Sequence, residues 1–134
     1  STGKERLIKL LFNVIVMQGS MEVSLTTPQK VVIETLVYVT YRSRGNYYYA
    51  GPAKLIKLFN SINGTYIQPS SMMKTEIKHY LERIARSFGF QVIIRSRRKN
   101  GFIVAIDLTR LRQYSPEQLR AELTRAMLGD GYVG

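Results

Sequence analysis

The chain has 134 residues, 45% of them hydrophobic and 22% charged, which is the composition of a folded domain rather than of a disordered segment. It has no cysteine and a single histidine, His79, which excludes disulfides and cysteine-based zinc sites and leaves little for metal or triad chemistry. Its 20 Lys and Arg outnumber its 9 Asp and Glu, and the resulting net charge of +11 is typical of a protein that binds a polyanion.

The composition also argues against enzymatic activity and against a membrane-spanning segment. Because no convergent set of acid, base and nucleophile is evident, we expect no enzymatic activity, no metal and no other cofactor. No stretch approaches the roughly 18 uninterrupted apolar residues of a membrane span. We therefore expect an intracellular protein, of the cytoplasm and nucleoid or of the nucleus, whose partner is nucleic acid rather than a membrane.

A single domain is predicted, because the length fits one and no Pro- or Ser-rich linker divides the chain. Its parts are an N-terminal helical extension over 1–26, a core over 27–109, and a C-terminal helix with a glycine-rich tail over 110–134. The extension opens with Thr2 and Glu5 at the spacing of a capping box. The apolar residues on one face of this helix are Leu7, Ile8, Leu11, Val14 and Ile15.

Three helices are predicted in the core. Thr27 and Pro28 form an N-cap and first-turn pair. The helix that they start, over 28–43, has a β-branched content that favours a strand but a length that favours a helix. The other two helices run over 52–62 and 71–88. Their start and stop signals are Gly51, Pro52, Asn63, Gly64, Pro69, Ser70, Ser71 and Gly89.

The helix over 71–88 has an apolar side and a polar side. The residues predicted to face inward are Met73, Ile77, Tyr80, Leu81, Ile84 and Phe88. Those predicted to face outward are Lys74, Thr75, Lys78, His79, Glu82, Arg83 and Arg86. Because Lys78 and Glu82 are four residues apart, they could form an ion pair on the helix surface.

Strands are predicted in two places. Residues 42–51 form a loop that contains a short strand at its three tyrosines, where alternation would bury Tyr48 and expose Tyr47 and Tyr49. Later in the chain the apolar period changes to two, which predicts a β-hairpin over 90–108.

The loop of this hairpin is predicted from the strand register. A three-residue loop over 99–101 would pair Arg98 with Phe102. It would also place Ile94 opposite Ile106 and so unite the apolar faces of the two strands.

The last helix is predicted over 116–128. Ser115, Pro116 and Gln118 combine an N-cap, a first-turn proline and the spacing of a capping box. The residues predicted to be buried on this helix are Leu119, Leu123, Ala126 and Met127.

The order of these elements resembles that of a winged helix-turn-helix domain: a helix, a short strand, two helices and a hairpin with a basic tip. The resemblance covers roughly residues 28–108 and indicates the superfamily rather than one family. One difference is the segment from Gly64 to Pro69, which is longer than the three- or four-residue turn of the compact motif. The resemblance implies a mainly helical α+β fold with a C-terminal β-hairpin wing and extra helices at both ends.

This resemblance also implies a function, the binding of double-stranded DNA by a transcriptional regulator or by a small replication or chromatin factor. The helix over 71–88 would be the recognition helix, with its N-terminal part in the major groove and the hairpin tip at the backbone or minor groove. The positions that match this role are Ser70, Ser71, Lys74, Thr75, Lys78 and His79.

The distribution of charge points to the same region independently of the fold. Between Glu82 and Asp107 there are six cations and no acidic residue. These cations are Arg83, Arg86, Arg95, Arg97, Arg98 and Lys99. Arginine suits such a surface, because its planar guanidinium binds phosphate oxygens or a guanine edge through two hydrogen bonds.

Two other functions remain open. In the first, the chain binds single-stranded DNA or RNA, with bases stacked on Tyr47 and Tyr49 beside Arg42 and Arg44. In the second, it is a protein-interaction subunit whose basic face meets an acidic partner. The two amphipathic terminal helices could form a homodimer interface, or could instead complete the core of a monomer.

Overall fold

The computed structural model describes residues 3–18, 24–94 and 101–129. Its elements are α1 (Gly3–Gln18), α2 (Thr27–Arg42), β1 (Tyr47–Ala50), α3 (Pro52–Asn63), α4 (Ser71–Phe88), β2 (Gln91–Ile94), β3 (Phe102–Asp107), α5 (Leu108–Leu111) and α6 (Pro116–Leu128). The strands form one antiparallel sheet in the order β1-β3-β2. The prediction of a mainly helical α+β fold is confirmed.

The helix α2 forms in spite of its β-branched residues because it packs against α3, α4, α5 and α6 at the centre of the core. Val31 and Leu36 are fully buried on it, and so are Thr35 and Thr40. The Thr35 hydroxyl donates to the Val31 carbonyl and the Thr40 hydroxyl to the Leu36 carbonyl, both at 2.6 Å. The buried hydroxyls are thereby satisfied within the helix.

The N-cap of α2 is Thr26, and the prediction of Thr27 was wrong by one residue. The Thr26 N–H donates to Oε1 of Gln29 at 2.9 Å, as in a capping box. Nε2 of Gln29 in turn donates to the Tyr80 hydroxyl on α4 at 3.0 Å. The hydrogen bond to Gln29 favours Thr26 over Thr27 as the N-cap, because the two partners of a capping box are three residues apart.

The predicted stop signals of α3 and α4 are confirmed, although α3 includes Asn63, one residue beyond its predicted end. Gly64 and Gly89 follow these helices with φ values of 65° and 76°, a left-handed conformation that glycine adopts at little cost. At the start of α4, the Ser70 hydroxyl accepts a hydrogen bond from the Met73 N–H at 3.2 Å.

One side chain holds the connection between α3 and α4. Oδ1 of Asn60 accepts from the Thr65 hydroxyl at 2.8 Å and from the Ile67 N–H at 2.9 Å. Nδ2 of Asn60 donates to the Ile67 carbonyl at 2.9 Å. A connection longer than the compact turn is therefore ordered by hydrogen bonds to the preceding helix.

The predicted register of the hairpin was wrong. Ile94 lies opposite Phe102 rather than Ile106, and Val92 lies opposite Val104. The difference of four residues leaves each side chain on its predicted face, because strand faces alternate with a period of two. The observed register sets Val92, Ile93 and Ile94 opposite apolar residues, whereas the predicted one would have set Arg98 opposite Phe102.

The second strand of the hairpin also ends one residue early. Leu108, predicted to continue β3, begins the short helix α5 and is buried. The Asp107 carboxylate caps this helix by accepting from the Thr109 N–H at 3.1 Å and from the Thr109 hydroxyl at 2.5 Å. Because the alternation of apolar residues continues through Leu108, the sequence pattern did not indicate that Asp107 is an N-cap.

The side chains of α6 differ in burial from those of residues 3–11 of α1. On α6, Leu119, Leu123 and Met127 are fully buried in the common core, as predicted, and Ala126 is half-buried. Residues 3–11 of α1 are exposed, although α1 contacts α6. None of the helices within the described ranges is long and apolar enough to cross a bilayer.

Candidate nucleic-acid interface

The polar side of α4 carries most of the candidate residues that the structure describes. Ser71, Thr75 and Lys78 are exposed on its first two turns. Lys74, predicted to face outward, is half-buried. The reason is its position seven residues before the fully buried Leu81, which sets it almost directly above that residue on the helix.

Lys78 joins the polar side of α4 to the hairpin. Its ammonium lies 5.5 Å from the centre of the Phe102 ring, within the range of a cation–π contact. Phe102 is the first residue of β3 and pairs with Ile94, the last residue of β2. Lys78 is therefore next to the end of the hairpin at which β2 and β3 are connected.

The connecting segment contains the most basic run of the sequence. Its candidate residues Arg95, Arg97, Arg98 and Lys99 lie outside the described residues. The described residues that flank this segment are Ile94 and Gly101. Phe102, which follows Gly101 and pairs with Ile94, contacts Lys78 of α4.

Other polar groups on α4 interact with one another. The Thr75 hydroxyl donates to the Ser71 carbonyl at 2.9 Å. The Glu82 carboxylate lies 3.4 Å from Nδ1 of His79, so its near neighbour is His79 rather than Lys78. Within the described part of the chain, no three His, Cys, Asp or Glu side chains come together to hold a metal ion.

Arg83 and Arg86 lie on the side of α4 that faces α6. Nη1 of Arg83 donates at 2.7 Å to the carbonyl of Met127, near the end of α6. Arg86 lines a cavity between the two helices. Because Lys78 and Arg83 are five residues apart, their side chains leave the helix about 140° from each other. The structure does not bring Arg83 together with Lys78.

Arg42 and Arg44 lie near the end of the sheet that is farther from Lys78. Tyr47, which begins β1, pairs with Asp107 at the end of β3, whereas Phe102 begins that strand. A strand of this length spans about 17 Å. The guanidinium of Arg42 lies 5.7 Å from the centre of the Tyr38 ring. The two arginines therefore belong to a different part of the surface from Lys78.

The tyrosine strand has the predicted alternation. Tyr47 and Tyr49 are 55% and 52% exposed, and Tyr48 is half-buried. Burial raises the pKa of the Tyr48 hydroxyl above its ordinary value. The Lys54 ammonium lies 4.5 Å from the centre of the Tyr48 ring and donates to the Tyr49 carbonyl at 3.0 Å.

Two exposed side chains near the start of α4 are not among the candidate binding residues that the sequence predicted. Tyr66, in the segment that Asn60 holds, is 91% exposed, and Met72 is 75% exposed. The available signal was an aromatic residue between Gly64 and Pro69, in a segment where turn residues dominate. Met72 lies on the first turn of α4 next to Ser71, whereas Tyr66 lies in the connection that precedes the helix.

No family model matches the chain, and neither a curated protein nor a solved structure matches it.

Proposed function

We propose that the chain binds double-stranded DNA as a winged-helix protein, through the N-terminal half of α4 and the basic segment between β2 and β3. The observed element order α2-β1-α3-α4-β2-β3 supports this proposal, since it is the order on which the resemblance depends. A role as a transcriptional regulator, or as a small replication or chromatin factor, and an intracellular location follow from the same proposal.

The contact between Lys78 and Phe102 carries the proposal. It joins the exposed side of α4 to the end of the hairpin at which four cations occur within five residues of sequence. A helix and an adjacent basic segment could contact neighbouring parts of one duplex. Lys78 and the arginines would neutralise phosphates, while the Ser71 and Thr75 hydroxyls are within the part of the helix that reaches base edges in helix-turn-helix proteins.

The test is a salt titration of duplex binding. Substituting Arg97, Arg98 and Lys99 together with Ala should weaken binding and reduce the slope of log affinity against log salt by roughly 0.9 for each lost phosphate contact. The matched control substitutes the exposed residues Lys4, Arg6 and Lys9 on α1 with Ala. Each triple variant lowers the net charge by three units, from +11 to +8.

Two results would contradict the proposal. One is an unchanged affinity and slope in the variant of the basic segment. The other is an equal loss in both triple variants, because net charge alone would then explain the binding. Lys78→Gln should weaken binding as well, with little effect on unfolding because Lys78 is an exposed residue.

A second candidate function is the binding of single-stranded DNA or RNA. The exposure of Tyr47 and Tyr49 on β1, an edge strand, favours it, because exposed aromatic rings can stack with bases. Competition between duplex and single strand separates the two functions. A preference for the single strand that disappears in Tyr47→Ala/Tyr49→Ala would favour this candidate over the first.

A further inference from the structure

A polar cavity of about 580 Å³ lies between the C-terminal halves of α4 and α6. The cavity is open to solvent, because Arg83, Arg86 and Arg125 on its wall are exposed. The cavity is lined by residues of both helices and by the glycine that follows α6, among them Arg83, Arg86, Ser87, Glu122, Arg125 and Gly129. It faces α6, whereas Lys78 and the hairpin are on another side of α4.

The charges around this cavity are mainly positive. Arg83, Arg86 and Arg125 contribute three guanidinium groups, and Glu122 contributes one carboxylate. Arg83 is held in place by its hydrogen bond to the Met127 carbonyl at 2.7 Å. A guanidinium has five N–H donors, so this bond leaves others for a ligand.

Arg86 and Arg125 differ in their partners. Arg86 makes no hydrogen bond or ion pair within the part of the chain that the structure describes. Nη1 of Arg125 lies 3.1 Å from Oε1 of Glu122, three residues earlier on α6. An anion in the cavity would therefore meet one unengaged guanidinium directly and would compete with Glu122 for the other.

We propose that this cavity binds a phosphate group, carried either by a small phosphorylated molecule or by a nucleic-acid strand, with Arg86 as the main ligand. Several planar guanidinium groups around one opening match the oxygens of a phosphate, and charge-assisted hydrogen bonds of this kind are the strong ones. The Ser87 hydroxyl is a further donor on the wall. Glu122 limits the affinity, because its carboxylate repels the phosphate and engages Arg125.

The experiment is a calorimetric titration of the full chain with inorganic pyrophosphate at constant ionic strength. Arg86→Gln should lower the affinity about tenfold, the loss of one charge-assisted contact. Glu122→Gln should raise the affinity, since it removes a negative charge and releases Arg125. Lys57→Gln, which removes an exposed cation of α3 that does not line the cavity, is the matched control and should change little.

A second arm uses duplex DNA in place of pyrophosphate and identifies the source of the phosphate. If Arg86→Gln weakens only pyrophosphate binding, the ligand is a small molecule; if it weakens duplex binding more than Lys57→Gln does, the phosphate is that of the strand. If Arg86→Gln changes neither titration, the proposal is wrong. Its failure is distinct from that of the DNA surface, which the variant of the basic segment tests separately.

Discussion

The guanidinium of Arg112 holds the end of α2 to the loop that follows it. Its Nε donates to the Thr40 carbonyl at 2.9 Å, and its Nη2 donates to the carbonyls of Ser43 and Gly45 at 2.6 and 2.9 Å. The last carbonyls of a helix lack partners within the helix, so a side chain that reaches them supplies missing hydrogen bonds. Arg112 is thus a structural cation in a strongly basic chain.

Arg112→Ala should lower the free energy of unfolding by about 2–3 kcal/mol, because it removes charge-assisted hydrogen bonds to three carbonyls. Denaturant unfolding measures the change. Arg44→Ala is the control, since this exposed arginine lies in the same loop, and its effect should stay within about 0.5 kcal/mol. Equal effects of the two substitutions would show that the three carbonyl contacts contribute little.

Asp107 should make stability depend on pH. Its hydrogen bond with the Thr109 side chain is the main cause that lowers the pKa of the carboxyl below its ordinary value of 3.8. Because the folded pKa is the lower one, the carboxylate stabilises the fold above the ordinary value, and this contribution is lost as the pH falls through the folded value. Asp107→Asn should be less stable than the original chain at neutral pH, and the difference should shrink in acid. A difference that is constant from neutral pH to below the ordinary pKa would contradict this assignment.

At the scale of elements, Asn60 determines how α3 leads into α4. Asn60→Ala should lower the free energy of unfolding by about 1–3 kcal/mol, because it leaves the Ile67 N–H and carbonyl without their partners. Asn63→Ala is the matched control on the same helix, where Nδ2 donates only to the Phe59 carbonyl one turn earlier. The control should be the milder change in thermal unfolding, and the reverse order would refute the role of Asn60.

Local signals predicted the helices well and the hairpin poorly. The capping box of Ser115 and Gln118 begins α6 as predicted, since both partners lie within one turn. Ile94 pairs with Phe102, and nothing within either strand selects this partner over Ile106. The alternation of apolar residues fits both pairings, because registers four residues apart keep the same side chains on the same face.

Across the whole molecule, α6 buries Leu119, Leu123 and Met127 in the core, whereas residues 3–11 of α1 are exposed. Leu123→Ala should cost about 2–5 kcal/mol, because it leaves a cavity among fully buried residues. The matched substitution Leu7→Ala on α1 should cost much less, since Leu7 is more than half exposed. Thermal unfolding of the two variants tests the difference, and similar losses of stability would count against it.

The burial of α6 bears on the predicted homodimer, because apolar residues that are buried within the monomer cannot also contact a second copy. The apolar residues of α6 are used within the monomer, whereas Leu7 and its apolar neighbours on α1 are exposed. The dimer stays a prediction, and sedimentation velocity at several concentrations would test it.

By itself the sequence determined the five longer helices, the three-tyrosine strand and the basic composition, because caps, apolar periods and charge are properties of residues close together in the chain. It also singled out the region that contains Lys78 and the basic run after Ile94. Only the tertiary structure decided the strand register and the separate placement of Lys78, Arg83 and Arg112. These depend on contacts with residues distant in sequence: the Phe102 ring, the Met127 carbonyl and the end of α2.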